Sequence, residues 1–129
     1  HDEIGYNYRM PNLNAALLLA QLEQIDSFLV SKRQLSGIYS NFFNKKNIHF
    51  FTGLSESLPN CWLNTIILKD IQQRDCFLEE TNSNKIMTRP IWQLMARSKI
   101  YNDAQCENIK NSLWLADRAV NIPSSLRVC

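Results

Sequence analysis

Apolar residues recur along the first third of the chain at helical spacing: Leu13, Ala16, Leu17, Ala20, then Ile25, Phe28, Leu29, then Leu35, Ile38, Phe42. Positions three and four apart share one helix face, so the pattern predicts a helix from about Pro11 to about Phe43. Pro11 suits a first turn, where its missing N–H costs nothing. At 1.5 Å per residue such a rod is roughly 50 Å long. Gly37 lies inside it and marks the expected bend, since glycine weakens a helix interior by about 1 kcal/mol. The rod is longer than one domain needs for its own core, so its first part is expected to pack on something outside this chain.

After Asn44-Lys45-Lys46-Asn47 the period changes. Ile48-His49-Phe50-Phe51 reads as a short strand and residues 53–59 as a polar loop. Trp62 to Leu68 is a stronger strand, rich in β-branched and aromatic residues. Asp70 is a candidate N-cap for a helix through about Thr81, with Phe77 and Leu78 inward. Ile86-Met87-Thr88-Arg89 reads as a third strand ended by Pro90. Trp92 to Tyr101 reads as irregular or partly helical. A helix with Ile109, Leu113 and Ala116 on one face is expected from Cys106 to Val120, followed by an extended exit through Asn121-Ile122-Pro123-Ser124-Ser125. The order predicts a two-layer α+β domain: a long N-terminal helix, a small, mostly antiparallel three-stranded sheet and two further helices.

Composition narrows the class. The 129 residues suffice for one domain with a real core. Hydrophobic and charged fractions of 45% and 20% are ordinary for a globular protein. A net charge of +2 without a concentrated basic face argues against a nucleic-acid binder. No apolar run approaches the roughly 20 residues that span a bilayer. Cys61, Cys76, Cys106 and Cys129 form no CxxC pair and fit no zinc spacing, which points to reduced thiols of a cytosolic protein, with extracellular disulfides the minor alternative. With three glycines in all, a glycine-rich phosphate loop is excluded. No nucleophile elbow and no metal constellation occurs. His49, between apolar neighbours, reads as structural, and Glu79-Glu80 as a solvated face.

Two clusters carry candidate chemistry. Asn7 and Arg9 stand just before the predicted helix, where a planar guanidinium and oriented backbone donors suit an anion; a surface arginine beside a turn asparagine is the bland alternative. Arg89 and Trp92, in Arg89-Pro90-Ile91-Trp92, suit an anionic ligand such as a nucleoside diphosphate; a core tryptophan with an arginine on its rim is the alternative there.

The segment Gly5-Tyr6-Asn7-Tyr8-Arg9-Met10-Pro11-Asn12-Leu13-Asn14-Ala15-Ala16, followed by Ala20-Gln21-Leu22-Glu23, resembles the DegT/DnrJ/EryC1/StrS nucleotide-sugar aminotransferases. Trp62-Leu63-Asn64-Thr65, Thr81-Asn82, Thr88 to Trp92 and Val120 to Ser125 resemble, in order and spacing, the branch acting on UDP-linked amino sugars. The resemblance covers essentially the whole chain and implies a C-terminal small domain of a fold-type-I enzyme. Its residues 1–12 would be an active-site loop, 11–43 a long helix and 48–129 an α/β sandwich.

The implied enzyme uses pyridoxal 5′-phosphate (PLP) and moves an amino group from glutamate to a UDP-linked keto sugar, as a cytoplasmic homodimer. Asn7 and Arg9 would reach the PLP phosphate of the neighbouring subunit. Arg89 and Trp92 would lie near the sugar nucleotide. The sequence departs from the family at Met95, where relatives often carry histidine, and at Leu17-Leu18-Leu19, where they commonly place a glycine. None of Lys32, Lys45, Lys46, Lys69, Lys85, Lys99 or Lys110 lies in the family's serine-then-lysine context, so no catalytic residue is expected here and the chain alone is expected to be inactive. The competing reading is a freestanding, non-catalytic binding or oligomerisation module that uses the long helix.

Overall fold

The computed structural model describes Gly5, residues 9–101 and residues 103–126. Helices α1 (Asn12–Leu22) and α2 (Ile25–Lys45) lead into β1 (His49–Phe50) and β2 (Asn64–Ile67). Helix α3 (Ile71–Ser83), β3 (Arg89–Pro90), two single 3-10 turns (Met95–Arg97 and Lys99–Tyr101), α4 (Lys110–Ala116) and β4 (Ala119–Ile122) follow. The α+β class is as expected, but the sheet has four strands, not three. Their order is β1-β2-β4-β3, antiparallel throughout.

The long helix is broken, and not where glycine suggested. Helix α2 runs unbroken through the exposed Gly37; the chain turns instead at Glu23-Gln24. Gln24 adopts φ −112° and ψ 8°, and its N–H bonds three residues back to Gln21 O. Side chains take up the carbonyls around the break: Ser27 Oγ donates to Gln24 O at 2.8 Å and Gln24 Nε2 to Ala20 O at 3.3 Å. Such local bonds offer the backbone an alternative to the helical ladder. At Gly37 the packing of Leu35, Tyr39 and Phe43 holds the helix against glycine's weak propensity.

Strand β4 is the main element the periodicity misses. The expected helix over 106–120 is cut to Lys110–Ala116. Asn108 Oδ1 accepts from Lys110 N at its start, and Ala119 onward is claimed by the sheet. All four residues of β4 pair with β2, from Asn64↔Ile122 to Ile67↔Ala119. That ladder overrides the local helical pattern, as tertiary pairing does for short β-prone segments. β3 is likewise shifted. Thr88 is buried and tied to the end of α3, through Thr81 Oγ1 at 2.6 Å and Asn82 Nδ2 donating to its carbonyl at 3.1 Å. Sheet pairing therefore begins at Arg89, and Pro90 sits on an edge strand, where its missing donor is tolerated.

One face of the sheet holds the core: Phe50, Ile66, Leu68, Val120 and Ile122, joined by Phe43 of α2. Phe43 and Phe50 stack with ring centroids 6.3 Å apart. Phe77 and Leu78 of α3 pack on this cluster, as expected, and Asp70 caps α3 by accepting from Gln73 N at 2.8 Å. The pairs Asn64↔Ile122 and Ile66↔Val120 put the core on one face, so Thr65, Asn121 and Arg89 stand on the other.

Candidate functional site

A cleft of about 670 Å³ opens beside that second face. Its floor and walls come from four places: Lys32 of α2, Trp62-Leu63 ahead of β2, Met87, Arg89, Pro90 and Trp92 around β3, and Asn121 to Ser125 at and after the end of β4. The sheet sets this meeting, because β2, β4 and β3 are neighbours. Arg89 and Trp92, singled out in the sequence, both line it.

Trp92 is 68% exposed and Trp62 62%, so neither is a core tryptophan with a rim arginine. Their rings lie 5.9 Å apart at 32°, a paired indole platform at the cleft. Arg89 is exposed, and its hydrogen bond among the described residues is a weak one, Nη2 to Met87 Sδ at 3.8 Å. The ion pairs among the described residues are Arg74–Asp75 and Arg97–Asp117, so the Arg89 guanidinium faces the cleft without a carboxylate. A planar cation beside two apolar rings suits a ligand with an anionic group and a flat ring.

The far wall is rigidly held. Lys32 Nζ donates to Ser124 O at 2.7 Å and Tyr39 Oη to Pro123 O at 3.1 Å. The buried Asn64 donates to Ser124 Oγ through its backbone N (2.8 Å) and Nδ2 (3.2 Å), while Ser124 Oγ donates to Ile122 O. Ser124 is thereby saturated: it shapes the wall. Thr65 Oγ1 donates to Asn121 Oδ1 at 2.8 Å on the open face.

Of the two other expected site residues, one is described. Arg9 is exposed ahead of α1 and is not among the residues lining the cleft. Asn7 lies outside the described residues. His49 is exposed on β1, and no cluster of metal-ligating side chains occurs among the described residues. Cys61, Cys76 and Cys106 are free thiols; Cys129 lies outside the described residues. No helix among the described residues is long and apolar enough to cross a membrane.

Sequence reasoning missed Lys32, Trp62 and Asn121 as cleft residues. Lys32 carried a readable signal: it interrupts the apolar stripe of Phe28, Leu35 and Tyr39, and a cation in such a stripe needs a partner. Asn121 stood only inside the Val120 to Ser125 motif, and its place at the cleft depends on β4.

Comparison with known proteins agrees with the family resemblance of the motifs. A profile of the DegT/DnrJ/EryC1/StrS aminotransferase family matches residues 1–129. The GDP-perosamine synthase of Escherichia coli O157:H7 is 34% identical over 130 residues, 96% of this chain and 34% of that protein. The GDP-perosamine synthase of Vibrio cholerae is 30% identical over 132 residues, 100% of this chain and 36% of that protein. The chain thus spans about a third of the length of these curated relatives. In fold it matches Helicobacter pylori PseC, an aminotransferase involved in the biosynthesis of pseudoaminic acid, with a TM-score of 0.79 at 16% identity, over 94% of this chain and 34% of that one. The chain belongs to the DegT/DnrJ/EryC1/StrS aminotransferase family.

Proposed function

We propose that the chain is the C-terminal small domain of a PLP-dependent aminotransferase that moves an amino group from glutamate to a nucleoside-diphosphate keto sugar, in the cytoplasmic synthesis of cell-surface or glycan sugars. The observation that carries this reading is the cleft: Arg89, which has no carboxylate partner among the described residues, lines it with the exposed Trp62 and Trp92, in a chain of this family. Arg89 holds the diphosphate and the indoles pack on the flat face of base or sugar. Lys32 keeps the opposite wall in place through Ser124.

The residues ahead of α1 fit the cofactor's phosphate. Arg9 is an exposed guanidinium, and the first turn of α1 carries neither a side-chain cap nor an acid. Oriented backbone donors and a cation together favour a phosphate. When bound, PLP supplies the electron sink for the transfer. Arg9 would neutralise the phosphate of the cofactor in the neighbouring subunit of a homodimer, and Asn7, by resemblance, would hydrogen-bond to it. Catalysis then needs the large domain with its PLP-anchoring lysine, and this chain alone is inactive. Lys32, the one lysine lining the cleft, is committed to a backbone carbonyl.

On the nucleotide, the motifs point to a UDP-linked sugar and the names of two relatives to a GDP-linked one. Calorimetric titration of the intact protein with UDP and GDP separates them, and transfer of the glutamate amino group tests the reaction. Binding of neither nucleotide, or no visible absorbance from bound PLP, overturns the reading.

The exposed, apolar α1 favours a second reading, a freestanding oligomerisation module. Sedimentation at several concentrations tests it; a folded monomer at every concentration removes it.

A further inference from the structure

The open face of the sheet carries one row of polar residues across three strands. Antiparallel pairing sets Asn121 of β4 between Thr65 of β2 and Arg89 of β3. Side chains directly opposite one another in such strands stand about 5 Å apart at Cβ. Thr65, Asn121 and Arg89 therefore form a line of polar groups, and its last two members face the cleft.

The amide of Asn121 is oriented. A side-chain amide has an acceptor end and a donor end. The Thr65 hydroxyl donates to Oδ1 at 2.8 Å, which leaves the donor end, Nδ2, for the cleft. Among the described residues Nδ2 has no hydrogen-bond partner, and the neighbouring Arg89 guanidinium has no carboxylate. Two adjacent donors, one of them charged, call for an anionic oxygen. The reversed amide would turn its carbonyl towards Arg89, pair with it internally and repel an anion. In this arrangement the Thr65 hydroxyl donates, and so holds Oδ1 away from Arg89.

We infer that Asn121 and Arg89 jointly grip a phosphate oxygen of a nucleoside diphosphate, and that Thr65 is the positioning residue that turns the Asn121 amide for this contact. The inference rests on the reading of the cleft as a nucleotide-sugar site.

Calorimetric titration of the intact protein with GDP and UDP, for wild type and three variants, tests it. Asn121→Asp places a carboxylate against Arg89, and binding of the better nucleotide falls by about tenfold or more, the range for a lost bond to a charged group. Thr65→Val keeps the shape and strand preference but not the hydroxyl; binding falls about threefold to tenfold while the thermal midpoint stays near that of wild type. Thr65→Ser restores the hydroxyl and returns affinity to within about twofold, well inside the effect of one hydrogen bond. A packing role for Thr65 predicts the reverse order, with valine tolerated and serine not, and that result overturns the positioning role. Wild-type affinity in both Thr65→Val and Asn121→Asp overturns the whole inference and leaves the nucleotide site standing. Failure of the wild type to bind either nucleotide removes the site reading and the inference with it. If Thr65→Val does not fold, Asn121→Asp and Thr65→Ser still decide the matter.

Discussion

Helices α1 and α2 follow one another with a two-residue break, yet the fold treats them oppositely. Helix α2 buries one stripe: Leu35 and Phe43 are in the core and Tyr39 packs against it. Helix α1 buries nothing. Its leucines at 17, 18 and 19 project about 100° apart around the axis, so no single face could cover them all. Leu13, Leu17 and Leu19 are 80%, 59% and 60% exposed. A helix apolar all round is normally enclosed on every side. The contrast teaches that hydrophobicity and periodicity carry different information: the stripe of α2 finds the sheet, whereas α1 asks for surfaces that the described residues do not contain.

The sharpest test is in α2. Phe43→Ala removes a buried ring that stacks on Phe50 and meets Phe42 edge-on, with centroids 5.1 Å apart. Truncating a core phenylalanine costs about 3–5 kcal/mol. Urea denaturation of the variant should show most of the chain's stability lost. A loss below about 1 kcal/mol, the level of an ordinary surface change, would mean that α2 is no more anchored than α1.

The same contrast explains what could be read in advance. Asp70 as N-cap, Phe77 and Leu78 inward, and the strand within Trp62–Leu68 were legible because each rests on local chemistry: a cap oxygen, a helical face, a β-branched run. The turn at Gln24 was not, because it depends on which side chain captures which carbonyl. Strand β4 was not, because Ala119 to Ile122 become a strand through their ladder to β2. The site divided the same way. Arg89 and Trp92 showed themselves by residue type next to proline, while Asn121 and Thr65 acquire meaning only when β4 brings them together.

A smaller effect of opposite sign is expected at Gly37. It sits in the exposed interior of α2, and a Cβ placed there meets nothing within 4 Å. Gly37→Ala should therefore stabilise the chain by about 0.5–1 kcal/mol, the helix-propensity difference. The same denaturation experiment reads it as a raised midpoint with an unchanged slope. A destabilised Gly37→Ala would place a partner against this face of α2 and weaken its contrast with α1.

The smallest effect on stability, and the most telling one, is expected at Leu17. Glutamine has nearly the helix propensity of leucine, and Leu17 is 59% exposed with no buried neighbour in its helix. Leu17→Gln should change unfolding stability by no more than about 0.5 kcal/mol, as for a surface position. Its effect should appear in association, because a contiguous exposed apolar surface draws partners or copies of itself. Sedimentation at rising concentration should show wild-type chain associating and Leu17→Gln associating less. A loss above about 1 kcal/mol at constant oligomeric state would instead show α1 packed within the folded chain, and the difference between the two helices would disappear.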